Sequence, residues 1–254
     1  MRVVISLGGS VLAPDLDPDR VRDHASAIDR LRAGGCDPGV VVGGGSAARE
    51  YIGAARELGA NDVDLDRLGI GVTRLNARLL IAALGRAGSP VPIVEYDEAE
   101  LALRRDEVPV MGGTEPGHTT DAVATTLAEY VDADLLVFAT GADGVYSADP
   151  NIDPNAEKYE SLTPSELVDV IAPMTRKAGA SAPVDLLAAK LLQRSSTRAI
   201  VLDGNDPDGI ARAVLEGEHT GTDVVPDPDD EPIESEGEST EPEDESTEIG
   251  SQTE

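Results

Sequence analysis

Val3-Val4-Ile5-Ser6-Leu7-Gly8-Gly9-Ser10 and Val40-Val41-Val42-Gly43-Gly44-Gly45-Ser46 are the two stretches that decide the fold. In each, a short apolar run is stopped by glycines, and a helical pattern follows, over residues 18–31 after the first and 46–58 after the second. A run with so little polar alternation has no face to offer water. It reads as a strand covered on both sides, which is the environment of a parallel sheet between helices.

Working outward, apolar residues recur at steps of three and four from Leu65 to Leu80, which predicts a long helix over residues 62–85. Further strands are expected at residues 91–94, 108–111, 135–139 and 199–202. Helices are expected near residues 121–130, 164–170, 184–193 and 207–215. The β-to-α alternation specifies an α/β chain with a mostly parallel sheet and helices on both faces. Hydrophobic residues make up 40% of the chain and aromatics 2%, so this core is built from Val, Leu, Ile and Ala.

The net charge of -29 argues against nucleic acid and anionic membrane as partners, since both would repel the chain as a whole. Thirteen acidic residues and no Lys or Arg lie within residues 226–254, a segment of Glu, Asp, Ser, Thr and Pro. Such a composition cannot bury enough apolar surface to offset its ordering entropy, so one folded domain over 1–225 and a disordered acidic tail over 226–254 are expected. The body stays acidic and uses only Lys158, Lys177 and Lys190 among lysines, a composition that suits high salt. Cys36 is the single cysteine, which excludes an intramolecular disulfide and fits a reducing compartment. Met1 runs straight into the first strand and glycine turn without a signal-peptide pattern. A cytoplasmic protein is the expectation.

Three glycine turns follow expected strands: Gly8-Gly9-Ser10, Gly43-Gly44-Gly45-Ser46, and Gly112-Gly113-Thr114-Glu115-Pro116-Gly117-His118-Thr119-Thr120. Turns at strand ends of open α/β sheets are where ligands bind, and glycine lets backbone N–H groups approach phosphate oxygens. Gly43-x-Gly45-x-x-Ala48 also matches a dinucleotide fingerprint, but its acidic partner, Asp64 or Asp66, opens a helix instead of ending a strand. Gly112 to Thr119 lacks the lysine of a P-loop, His118 standing in its place.

Taken together, Ile5-Ser6-Leu7-Gly8-Gly9-Ser10, Val41-Val42-Gly43-Gly44-Gly45, Gly117-His118-Thr119-Thr120-Asp121-Ala122 and Gly144-Val145-Tyr146-Ser147-Ala148-Asp149-Pro150 resemble the amino acid kinase superfamily, and within it the archaeal UMP kinases. The resemblance spans residues 1 to about 225. It implies a three-layer αβα sandwich, transfer of the γ-phosphoryl group of ATP to UMP in pyrimidine nucleotide synthesis, Mg²⁺ carried with ATP, and a homohexamer. By resemblance, Gly9, Ser10, Gly45 and Arg49 hold ATP phosphates, with Thr140, Tyr146 and Asp149 near the adenosine. Gly44, Asp66 and the loop Thr114, Glu115, Pro116, Gly117, His118, Thr119 and Thr120 hold UMP. Asp121 organises the cations around the transferring phosphate, and no metal ligand of the protein's own is expected.

Each assignment has a plainer counterpart. Asp66 also suits a helix N-terminal charge, Asp121 a capping carboxylate, Tyr146 a core residue, and Arg49 and Lys190 solvated surface cations. Many members of the superfamily carry a lysine where this chain has Ser6, so Mg²⁺, Arg49 and Lys190 are expected to supply the missing charge. A kinase for an amino acid or other small acid, and a nucleotide-binding sensor without turnover, are the competing functions.

Overall fold

The computed structural model describes residues 1–150, 152–174, 182–195 and 197–226. Lys177 and the acidic tail from residue 227 lie outside the described residues. Among those described, seven strands form one sheet: β1 Arg2–Leu7, β2 Asp37–Val42, β3 Val110–Met111, β4 Leu135–Thr140, β5 Ser161–Leu162, β6 Ala199–Asp203 and β7 Thr222–Val224. Their spatial order is β3-β2-β1-β4-β6-β7-β5, parallel except where β7 runs antiparallel to β6.

The helices are α1 Gly9–Leu12, α2 Pro18–Ala33, α3 Gly45–Glu57, α4 Asp62–Leu84, α5 Tyr96–Arg104, α6 Thr120–Tyr130, α7 Pro164–Met174, α8 Leu186–Arg194 and α9 Pro207–Leu215. Two apolar cores lie on opposite faces of the sheet. One joins Val3, Ile5 and Leu7 of β1 to α2, α4 and α9. The other joins Val4 and Phe138 to α5, α6, α7 and α8. The period-2 alternation of β1 therefore turns Ser6, 2% exposed, toward the same face as Val4 and α6. This is the expected three-layer sandwich.

Two expectations need correction. Residues 91–94 do not form a strand; Ile93 makes only an isolated parallel bridge to Met111, because Pro90 and Pro92 each remove an amide that a ladder would use. The strand expected over 108–111 shortens to Val110–Met111, with Val108 held by a bridge to Gly88. Helix α5, and the short strands β5 and β7, have no counterpart in the sequence reading.

Helix α4 is long and apolar enough to cross a membrane by length and composition. Its buried residues, among them Leu65, Val72, Ala77, Leu80 and Leu84, account for one face, which packs within the domain. Leu68, Leu75 and Leu79 remain exposed on the other.

The strand order places the site. From β1 the chain steps to β2 and β3 on one side, while β4 and β6 extend on the other, so the order reverses between β1 and β4. A crevice opens at such a reversal beyond the carboxyl ends of the strands. The glycine turns after β1 and β2 lie at that end, tied there by Gly8 N–H to Ala139 O at 3.1 Å and Gly43 N–H to Leu7 O at 2.9 Å.

Candidate active site

Two cavities flank this crevice. One, of about 570 Å³, is bounded by the loop after β4 and includes Thr140, Tyr146, Asp149, Pro183 and Asp203. The other, of about 320 Å³, lies between the starts of α3 and α4 and the loop after β3, and includes Gly44, Gly45, Asp66, Gly117, His118 and Thr120. The sequence-derived donor residues Thr140, Tyr146 and Asp149 thus share one cavity. Gly44, Asp66, Glu115, Gly117, His118, Thr119 and Thr120 share the other. Gly45, expected to hold ATP phosphates, instead borders the cavity of Asp66, Thr114 and Pro116 belong to its loop without lining it, and Gly9 and Ser10 line neither cavity.

The glycine turns meet backbone to backbone. A Cβ on Gly9 would stand 2.3 Å from both Gly43 O and Gly45 N, and one on Gly45 would stand 2.6 Å from Gly9 C. Gly45 also holds φ +64, in the left-handed region. Helix α3 starts without a side-chain cap, so its first N–H groups are free to meet an anion beside the cavity wall.

The loop after β3 is held from α4. Thr73 Oγ1 accepts the Gly113 N–H at 2.7 Å, and Arg74 Nε donates to Gly113 O at 3.1 Å. Asp66 Oδ2 accepts the Gly117 N–H at 2.8 Å. The N-terminus of α4 is capped by Asn61, so Asp66 is free of that duty and serves the loop.

At the larger cavity, the Tyr146 hydroxyl donates to Asp143 Oδ1 at 2.9 Å and Lys158 Nζ reaches Asp143 Oδ2 at 3.0 Å. Burial pushes the Asp143 carboxyl up, but the Lys158 ammonium and the Tyr146 hydroxyl outweigh it and hold the pKa below the ordinary range. Tyr146 keeps part of its ring open to the cavity instead of joining the core.

Between the two cavities stands Asp121, next in the chain to Thr120 of the smaller one and bonded to Asp185, two residues from Pro183 of the larger one. Ser6 Oγ donates to its Oδ1 at 2.6 Å, and the backbone of Asp185 also bonds to its carboxyl. Protein atoms crowd that carboxyl although part of the residue faces solvent. This desolvation raises its pKa from 3.8 to about 6; the Ser6 bond opposes the rise and the Asp185 charge adds to it. Thr119 caps α6 through Ala122 N–H, so Asp121 is not the capping group. Thr119 Oγ1 also donates to Asp185, whose other oxygen caps α8 at Leu187 and Ala188. One carboxylate thus ties Thr119, on the wall of the smaller cavity, to the start of α8 near Pro183 of the larger one. Sequence reasoning passed over Asp185, although an Asp just before an apolar helical run was a cap signal.

Arg49 and Lys190 are exposed and line neither cavity. Each is the fifth residue of its helix, α3 and α8 respectively. Long helical side chains lean toward the N-terminus, so both can reach back toward the space between the cavities. Among the described residues, no group of three or more His, Cys, Asp or Glu converges as a metal cage.

Comparison with known proteins agrees with this geometry. Residues 1–203 match the model of the amino acid kinase family. The chain is 66% identical over 233 residues to a uridylate kinase of Halorubrum lacusprofundi, covering 92% of this chain and 97% of that one. It is 61% identical to a uridylate kinase of Halobacterium salinarum, with 89% and 94% covered. The solved uridylate kinase of Archaeoglobus fulgidus has a TM-score of 0.79 at 45% identity, covering 89% of this chain and 100% of that one. An aspartate kinase from Synechocystis, at a TM-score of 0.72 and 20% identity, shares the fold over 91% of this chain and 40% of its own length.

Proposed function

The chain belongs to the amino acid kinase family and, within it, to the archaeal uridylate kinases, and from that premise we propose that it transfers the γ-phosphoryl group of ATP to UMP, giving ADP and UDP for pyrimidine nucleotide synthesis in the cytoplasm. The observation that carries this reading is the pair of cavities at the carboxyl end of the sheet, with uncapped α3 beside one of them and the Ser6–Asp121–Asp185 cluster between them. ATP enters the cavity of Thr140, Tyr146 and Asp149, with its phosphates toward Gly9, Ser10 and Gly45. UMP enters the cavity of Asp66 and the loop of residues 114–120.

A phosphate oxygen of UMP is already ionised and needs no general base. It attacks the γ-phosphorus, a P–O bond forms, the bond to the β–γ bridging oxygen breaks, and ADP leaves with that electron pair. Phosphoryl transfer of this kind depends on alignment and positive charge. Mg²⁺ fits this site as an ion carried on the nucleotide phosphates, since it favours phosphate oxygens and one or two carboxylates, and Asp121 and Asp185 are the carboxylates between the cavities. When bound, it neutralises charge on the transferring group. Arg49 and Lys190 add to that charge from the second turns of α3 and α8. Ser6, where a lysine is common in the superfamily, gives Asp121 a neutral donor in place of a cation.

A kinase of amino acids would bring no ribose hydroxyls for the Asp66 carboxylate, which borders the cavity, to accept. The exposed stripe Leu68, Leu75 and Leu79 on α4 supports assembly into a homo-oligomer, the hexamer that the resemblance implies.

An ADP-release assay at molar salt, run with and without Mg²⁺ across UMP, CMP, AMP and GMP, tests the assignment. UMP should be strongly preferred and turnover should require Mg²⁺. Equal rates with the purine monophosphates would overturn it. In the same assay Asp66→Ala should raise the KM for UMP by about ten- to a hundredfold, the loss of a charged hydrogen bond, and leave the KM for ATP nearly unchanged. A matched rise in both would restrict Asp66 to bracing the loop.

A further inference from the structure

Asn76 lies in the middle of α4 and is only 3% exposed. Its Nδ2 group donates to two successive carbonyls of the turn after β2, Gly43 O at 2.9 Å and Gly44 O at 3.2 Å. A buried side-chain amide persists where it is hydrogen-bonded, and here its acceptors are backbone atoms of a turn with no side chains of its own to steady it. The chain has no cis peptide among the described residues. In a planar trans peptide the C=O of one residue and the N–H of the next point in opposite directions. Drawing the Gly43 and Gly44 carbonyls toward α4 therefore turns the Gly44 and Gly45 N–H groups away from α4.

Those two amides open the uncapped start of α3, and both residues border the acceptor cavity, Gly45 also touching the Gly9-Ser10 turn. Glycine peptides turn over easily; Ala48 N–H also holds the Gly44 carbonyl, at 3.3 Å, as the first bond of α3, and Asn76 adds a side-chain hold on that carbonyl and on Gly43 O before it. We propose that Asn76 is the positioning residue that aims the Gly44 and Gly45 amides at the phosphates of acceptor and donor. It touches neither nucleotide. It acts through the two peptide planes, keeping their dipoles oriented before charge develops on the transferring group, the condition under which such dipoles are most effective. The inference rests on the kinase reading for the identity of the anions and on the hydrogen bonds alone for the orientation.

Asn76→Asp keeps the shape but sets a carboxylate against two carbonyl oxygens. The peptides can then turn over, give their N–H groups to the carboxylate and present carbonyls to the phosphates. Asn76→Ser shortens the side chain, loses the reach to both carbonyls and leaves room for water. Both variants, with Ser89→Ala as a comparison, are to be assayed for Tm, kcat, both KM values and UMP binding by calorimetry. Ser89 is a buried polar residue that bonds to Val91 O and Val110 N and lines neither cavity.

The expected result is a kcat lowered about a hundredfold or more in the Asn76 variants, with weaker UMP binding, while Ser89→Ala loses Tm with ordinary kcat. A folded Asn76 variant with kcat and UMP affinity within about threefold of the parent would overturn the inference. If Asn76→Asp does not fold, Asn76→Ser decides by the same ratios. If neither folds while Ser89→Ala does, Asn76 is a structural residue and the inference fails. Wild-type turnover of UMP tests the kinase reading separately, and calorimetry with UMP reads the amides whether or not turnover occurs.

Discussion

Replacing Asp121 by Asn is expected to lower kcat by at least a thousandfold while making the folded protein more stable at pH 8 than at pH 4, relative to the parent. The first effect follows from its place between the two cavities, bonded to Ser6 and beside Asp185. A negative charge there orients cations around the transferring group, and an amide cannot. The second effect follows from the raised pKa. A carboxyl moved from 3.8 to about 6 costs the folded state on the order of 3 kcal/mol when ionised. The unfolded carboxyl ionises near 3.8, so the cost grows as pH rises above that value and is complete above about 6. Asn removes it. The difference in Tm between Asp121→Asn and the parent should therefore climb from pH 4 to pH 8, whatever constant offset the lost hydrogen bond adds. Scanning calorimetry across that range, paired with the ADP-release assay, checks both halves. A flat Tm difference would mean that the carboxyl is not desolvated, and an active variant would remove Asp121 from the catalytic machinery.

Gly9→Ala is expected to abolish detectable turnover while leaving the sheet intact. The new methyl group would have to occupy space 2.3 Å from Gly43 O and Gly45 N, well inside contact distance and against backbone instead of a flexible side chain. The two glycine turns must then separate. A displacement of about 1 Å at aligned phosphates costs on the order of a hundredfold in rate, and both phosphate positions move here together. Overpacking of this kind should also cost about 1–3 kcal/mol of stability. Circular dichroism should retain the α/β signature, and activity should be lost even at saturating UMP and ATP. Gly35→Ala is the comparison for glycine loss without crowding, since nothing lies within 4 Å of a Cβ there, although its φ of +83 adds local strain. Ordinary turnover in Gly9→Ala would show that the turns have room to move apart without disturbing the phosphates.

The strands at the centre of the sheet were legible because their burial is nearly total: β1, β2, β4 and β6 each carry a short, mostly apolar run, and the glycines that follow β1 and β2 interrupt them sharply. The residues that the resemblance assigns to the two nucleotides are gathered in part: Thr140, Tyr146 and Asp149 share one cavity and Asp66 with much of the loop after β3 the other, while Gly9, Ser10 and Arg49 line neither. Strands β5 and β7 were not, being two and three residues long, too short for a period to register. Helix α5 was missed because its buried face consists of Ala99, Ala102 and Leu103, a weak apolar signal.

The residues 91–94 misread as a strand show the reverse case, in which apolar composition favours a ladder that Pro90 and Pro92 prevent. Local composition and periodicity thus sufficed for the sheet and for the turns at its edge. Ser6 meeting Asp121 across 115 residues, Asp185 reaching Thr119 across 66, and Asn76 drawing in Gly43 across 33 were decided only by tertiary packing. Hydrophobic periodicity states which face of an element is buried. It carries no information on which polar groups will face one another once the layers close, because that depends on strand order and helix registry across the whole domain.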